Sequence, residues 1–212
     1  MRMNKKKLAV VSLVLCVAAI VSMSSLAWFT AEDTVDNELK FVTDFAMDLY
    51  ETNGQGGIIR DASDSTKTIG QTYENLRPGA TIYKDPTVVN KSSSDYQWIR
   101  VTVTLDHFDT WKETVTSPVD LAEFFTGHDE EKWERDSIAI SDDGGKTVKY
   151  TYYLKDQLAP SATATLFTGV KIPETMTLAQ AKAIGTSHIT VKAEAIQATG
   201  RTVTSAKAAF AG

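Results

Sequence analysis

Hydrophobic and polar residues alternate along most of this chain, and only two short stretches show helical spacing. Within residues 38–50, Leu39, Phe41, Phe45, Met47 and Leu49 fall on one side and Lys40, Asp44 and Asp48 on the other, the period of two of a half-buried strand. Residues 96–106 show the pattern most strongly, with Ile99, Val101, Val103 and Leu105 opposite Trp98, Arg100, Thr102 and Thr104. Residues 80–90 also read as a strand, but Pro86 cannot donate to a ladder, which predicts an edge or bulged position. Strands over 133–141 and 147–155 flank Asp142-Asp143-Gly144-Gly145, a hairpin signal. A further strand spans 162–172 between Pro160 and Pro173. The series closes at 188–198, where Ile189, Val191, Ala193 and Ala195 alternate with Thr190, Lys192 and Glu194. Helical spacing is confined to 120–125 and to 177–184, where Thr177 is a candidate N-cap. Gly, Ser, Asp and Thr dominate 52–71, predicting a loop with a short strand at 57–60, and Arg77-Pro78-Gly79 is a turn signal.

Short strands separated by turns, with little helix, predict an all-β fold. The expected architecture is an antiparallel β-sandwich of jelly-roll type with one or two short helices. At 212 residues and 42% hydrophobic, the chain has enough apolar material for a packed core.

The first 27 residues stand apart. Arg2, Lys5, Lys6 and Lys7 precede an apolar run over 8–21, and Ser25-Leu26-Ala27 supplies the small residues a signal peptidase pocket requires. Cleavage is expected between Ala27 and Trp28, with Ser25 at −3. The alternative is an uncleaved anchor, but residues 8–29 are barely long enough to span a bilayer and contain four serines. The expected organisation is therefore a signal peptide at 1–27, an N-terminal arm at 28–37 and one β-sandwich domain at 38–212. Membrane contact is expected only through the leader before cleavage, and the destination is extracellular.

Charge and cysteine usage narrow the function. Four of the 22 basic residues lie in the leader, so the rest carries 18 against 27 acidic residues, a net of −9 that repels phosphate backbones and argues against nucleic acid. The only cysteine, Cys16, lies in the leader, so the cleaved chain has neither disulfide nor thiolate chemistry. No Gly-x-Ser-x-Gly elbow, phosphate loop or zinc motif is present. His107, His128 and His188 are scattered; His128-Asp129-Glu130-Glu131 reads as a solvated acidic loop rather than a metal site. Asp142-Asp143-Gly144 reads as a hairpin rather than a calcium loop. Trp98, Trp111 and Trp133 are core candidates before they are sugar platforms. The expectation is no catalytic residue, no metal and no cofactor.

The arm is the more informative segment. Trp28, Phe29 and Val35 are nearly its only apolar residues, and such an end would be loosely held in a monomer. It could instead add a strand to a neighbour's open sheet edge.

Four stretches, taken in order, resemble the secreted TasA/camelysin (CalY) family of Gram-positive bacteria. They are the leader from Met3-Asn4-Lys5-Lys6-Lys7 to Ser25-Leu26-Ala27-Trp28-Phe29-Thr30; Glu74-Asn75-Leu76-Arg77-Pro78-Gly79-Ala80-Thr81-Ile82-Tyr83-Lys84-Asp85-Pro86-Thr87-Val88-Val89-Asn90, followed by Trp98-Ile99-Arg100-Val101; Leu166-Phe167-Thr168 with Val170-Lys171-Ile172-Pro173; and Ala193-Glu194-Ala195-Ile196-Gln197-Ala198. The resemblance implies a leader processed by a SipW-type signal peptidase, a jelly-roll domain, and assembly into extracellular biofilm-matrix fibres. Self-association or homologous fibre subunits are the implied partners, with the arm from Trp28 as donor strand. The family also includes camelysin, described as a metalloprotease; that activity is not carried to any residue here. A camelysin-like protease and a monomeric adhesin or carbohydrate-binding module are the alternatives. Residues 110–134 match no recognised motif.

Overall fold

The structure, a computed structural model, describes residues 45–60, 62–65, 68–114 and 124–211. They form ten strands in three antiparallel sheets with three short α-helices. In chain order these are β1 (Met47–Tyr50), β2 (Thr81–Tyr83), β3 (Thr87–Asn90), β4 (Gln97–Leu105), α1 (Phe108–Trp111), β5 (Phe125–Thr126), β6 (Trp133–Ile140), β7 (Val148–Leu154), β8 (Thr163–Thr165), β9 (Gly169–Lys171), α2 (Leu178–Ile184), β10 (Ile189–Gln197) and α3 (Val203–Ala211). The strand orders are β1-β3-β8, β10-β4-β7-β6 and β2-β9-β5. The fold is the expected all-β antiparallel sandwich; these three strand orders do not extend to the jelly-roll type.

β4 matches its alternation. Ile99, Val101, Val103 and Leu105 are buried, while Arg100, Thr102 and Thr104 on the opposite face are half-exposed. Across the ladder β7 adds Val148, Tyr150, Tyr152 and Leu154 to the same core, which the shorter sheets close with Val88, Ala164 and Val170. Each valine, leucine and isoleucine among them contributes about 1.5–3 kcal/mol by leaving water. Trp133 is fully buried and its Nε1 donates to Thr165 O at 2.9 Å, joining β6 to β8. The β6–β7 hairpin turns at residues 142–145, where Gly144 (φ 88°) and Gly145 (φ 77°) adopt conformations a side chain resists. Thr177 caps α2 in a reciprocal box with Gln180.

Four expectations are corrected. The strand over 80–90 is two strands in different sheets: the chain crosses at Lys84-Asp85-Pro86, leaving β2 at an edge and β3 in the centre of its sheet. The strand over 162–172 likewise breaks at Leu166-Phe167-Thr168 into β8 and β9. In both cases apolar residues recur on either side of the crossing, because each half buries side chains in the same core. Phe124 and Phe125 do not lie in a helix: Phe124 is in a turn, Phe125 opens β5, and the Phe125 ring stacks on Phe167 at 4.6 Å while Phe124 meets Trp111 edge-on at 5.7 Å. The short strand at 57–60 is two isolated bridges, Thr52 to Ile58 and Arg60 to Thr68. Helix α3 was not expected at all.

Candidate strand-docking edge

The four-stranded sheet has two edges, and they differ. β6 is mostly exposed, carries Glu134, Arg135 and Asp136, and is bulged between Arg135 and Ser137. Charges and a bulge are devices that discourage further pairing. β10 is a regular nine-residue strand paired only with β4 among the described residues. Its phase follows from two terminal bonds, Ala198 N to Tyr96 O (2.9 Å) and Asp106 N to His188 O (3.3 Å). Even-numbered residues therefore face β4, and the N–H and C=O groups of Val191, Ala193 and Ala195 point to the open edge. The side chains of those three residues turn inward and are half-buried. Lys192 and Glu194 lie on the outer face, paired with each other at 3.0 Å.

Cavities flank this edge at both ends. A groove of about 900 Å³ adjoins the N-terminal half, with Ile82, Leu105, Phe124, Val170, Ile184 and Ile189 in its wall and residues 70–76 on its border. A second cavity of about 500 Å³ adjoins the C-terminal half, between Phe45–Met47, Ala193–Ile196 and the end of α3.

Two polar clusters hold the large groove's borders. At one side Lys84 pairs with Glu51, both buried, and Glu51 Oε2 has no partner among the described residues. Asp85 accepts from the Thr52 amide (2.7 Å), the Thr52 hydroxyl (2.7 Å) and Tyr83 (3.0 Å). Tyr73 donates to Tyr83 O; burial, then the negative charges of Glu51 and Asp85, push its hydroxyl up to about 12. With Gln71 Nε2 on Thr52 O at 3.3 Å, these bonds pin the 70–76 segment. At the other side Asp106 Oδ1 accepts from Ser187 Oγ and His188 N, both at 2.7 Å, and Oδ2 lies 2.9 Å from His188 Nδ1. Partial burial raises the Asp106 carboxyl, but the bonds from Ser187 and His188 outweigh it and hold it below the ordinary aspartate range. Ser187 gives its proton to Asp106, not to the imidazole, so these three residues are a loop staple and not a nucleophile with its base.

No family model, curated protein or solved structure matches this chain.

Ser25, Ala27, Trp28, Phe29 and Val35 lie outside the described residues. Trp98, Trp111 and Trp133 are buried, so none offers a face for stacking sugar. His128 packs edge-on against Tyr152 at 5.2 Å, and burial lowers its pKa. Asp129 closes a turn onto the amides of Glu131 and Lys132. Among the described residues no group of three or more His, Cys, Asp or Glu is placed to hold a metal ion, and no helix is long and apolar enough to cross a membrane. Sequence reasoning did not identify β10 as an accepting edge; its signal was an alternating strand free of proline, with small Ala193 and Ala195 on the inner face.

Proposed function

We propose that this protein is a secreted structural subunit of extracellular biofilm-matrix or cell-surface fibres, assembled by β-strand addition. The β10 edge carries the reading. It has outward-pointing backbone groups with no described partner, a regular ladder without a bulge, and cavities at both ends, whereas β6 at the opposite edge is bulged and charged. The occupant is the arm 28–37 of a second copy. Ten extended residues cover about 33 Å, the length of a nine- or ten-residue edge. Extended, it would turn Phe29, Ala31 and Val35 toward the sandwich interior together with Asp33, and Trp28 to the other face. The resemblance to the TasA/camelysin family points the same way, with a SipW-type peptidase releasing Trp28 as the new N-terminus.

The test compares protein beginning at Trp28 with a form lacking 28–37, by light scattering and negative-stain electron microscopy. Filaments from the first and none from the second are expected. If both stay monomeric, the reading fails. Casein hydrolysis by pure protein that a chelator abolishes would favour the protease instead.

A further inference from the structure

The outer face of the four-stranded sheet carries one register row: Glu194 on β10, Arg100 on β4, Tyr153 on β7 and Glu134 on β6 are successive cross-strand neighbours. Helix α3 lies over this row and is held at two places. Near β6, Lys207 donates to Glu134 (2.8 Å) and Asp136 (3.1 Å) and sits 4.9 Å above the Tyr153 ring. Near β10, Arg100 donates to Glu194 through Nε (2.9 Å) and to the backbone oxygen of Phe210, with its guanidinium 4.9 Å above the Phe210 ring. Arg100, Glu194 and Phe210 all line the 500 Å³ cavity beside the C-terminal half of the β10 edge.

We infer that Arg100 is a positioning residue for the incoming strand: by holding Glu194 and the last turn of α3 at once, it sets the wall along which the arm 28–37 of a second copy docks. This rests on the reading of β10 as the accepting edge. A planar fork suits the task, since one guanidinium can serve a carboxylate, a carbonyl and a ring face together where an ammonium serves one direction at a time. Lys207 anchors the same helix but does not line the cavity, so the two anchors separate holding α3 down from shaping the edge.

The experiment uses the chain beginning at Trp28 and its Arg100→Ala and Lys207→Ala variants. For each, light scattering reads the lowest concentration that gives filaments, and thermal unfolding reads stability. Arg100→Ala is expected to raise that concentration about tenfold, a loss of one such docking contact, while Lys207→Ala leaves it unchanged although it loosens α3. If Arg100→Ala fails to fold, Arg100→Lys replaces it with the same expectation, because an ammonium cannot hold the Glu194 carboxylate and the Phe210 backbone oxygen at once. Equal shifts from both anchors would mean that α3 acts only through stability, and no shift from either would mean that its last turn is not part of the edge; each overturns the inference alone. Absence of filaments from the parent chain overturns the accepting edge as well.

Discussion

Lys84 and Glu51 form an ion pair buried where the chain crosses from one sheet to another, with side chains 8% and 11% exposed. Two charges taken out of water stabilise little as a pair, but either alone is costly. Lys84→Met should therefore destabilise by about 3–5 kcal/mol, because Glu51 is left buried without its cation. Lys84→Met with Glu51→Leu should recover most of that loss. Urea unfolding of the two variants checks it; a double variant no better than the single would mean that the pair is not the source of the effect.

Asp106 ties the segment before β10 to the end of β4. Its folded pKa lies below the ordinary value of 3.8, so its stabilisation is complete above 3.8 and fades as the pH falls through the folded value. At pH 7, Asp106→Asn should cost about 1–2 kcal/mol, the worth of charge-assisted bonds on a partly exposed group. The gap from the parent should close on acidification below 3.8. Unfolding curves at several pH values test this, and a gap independent of pH would contradict it.

Gly127 follows β5 with φ 68°, and a Cβ there would lie 2.1 Å from Thr168 Oγ1 and 3.2 Å from Thr168 Cβ. Gly127→Ala combines a left-handed backbone with a clash, and should cost about 1–3 kcal/mol. Gly144→Ala is the control: its φ is also positive, but no atom lies within 4 Å of the added carbon. Melting temperatures should fall further for Gly127→Ala.

Much of the fold was legible because β4, β7 and β10 each turn one face to the core, so their alternation maps directly onto the sandwich, and because Asp142-Asp143-Gly144-Gly145 marks the turn between β6 and β7. Two crossings were not. Residues 80–90 and 162–172 keep apolar residues on both sides of the break, and periodicity sees one strand where the chain makes two. Helix α3 was hidden for a different reason: Ala206 and Phe210 are its main contacts with the sheet, and the rest of its hold comes from Arg100 and Lys207, whose partners are distant in sequence. Within the candidate site, the inward face of β10 was readable. That β4 is its one paired neighbour among the described residues was not, because strand order is contained in no local pattern. The cleavage site and the arm are read from sequence alone.

A proline in the β10 edge probes strand docking there. The Ala193 amide points away from β4, so Ala193→Pro removes an outward donor without breaking the internal ladder. Ile140→Pro does the same at β6, where Ser141 N to Thr147 O sets the phase and leaves the Ile140 amide outward. Filament formation by the chain beginning at Trp28 should be lost with Ala193→Pro and kept with Ile140→Pro, both proteins retaining the parent's β-sheet circular dichroism. Filaments from a folded Ala193→Pro protein would contradict strand addition at β10.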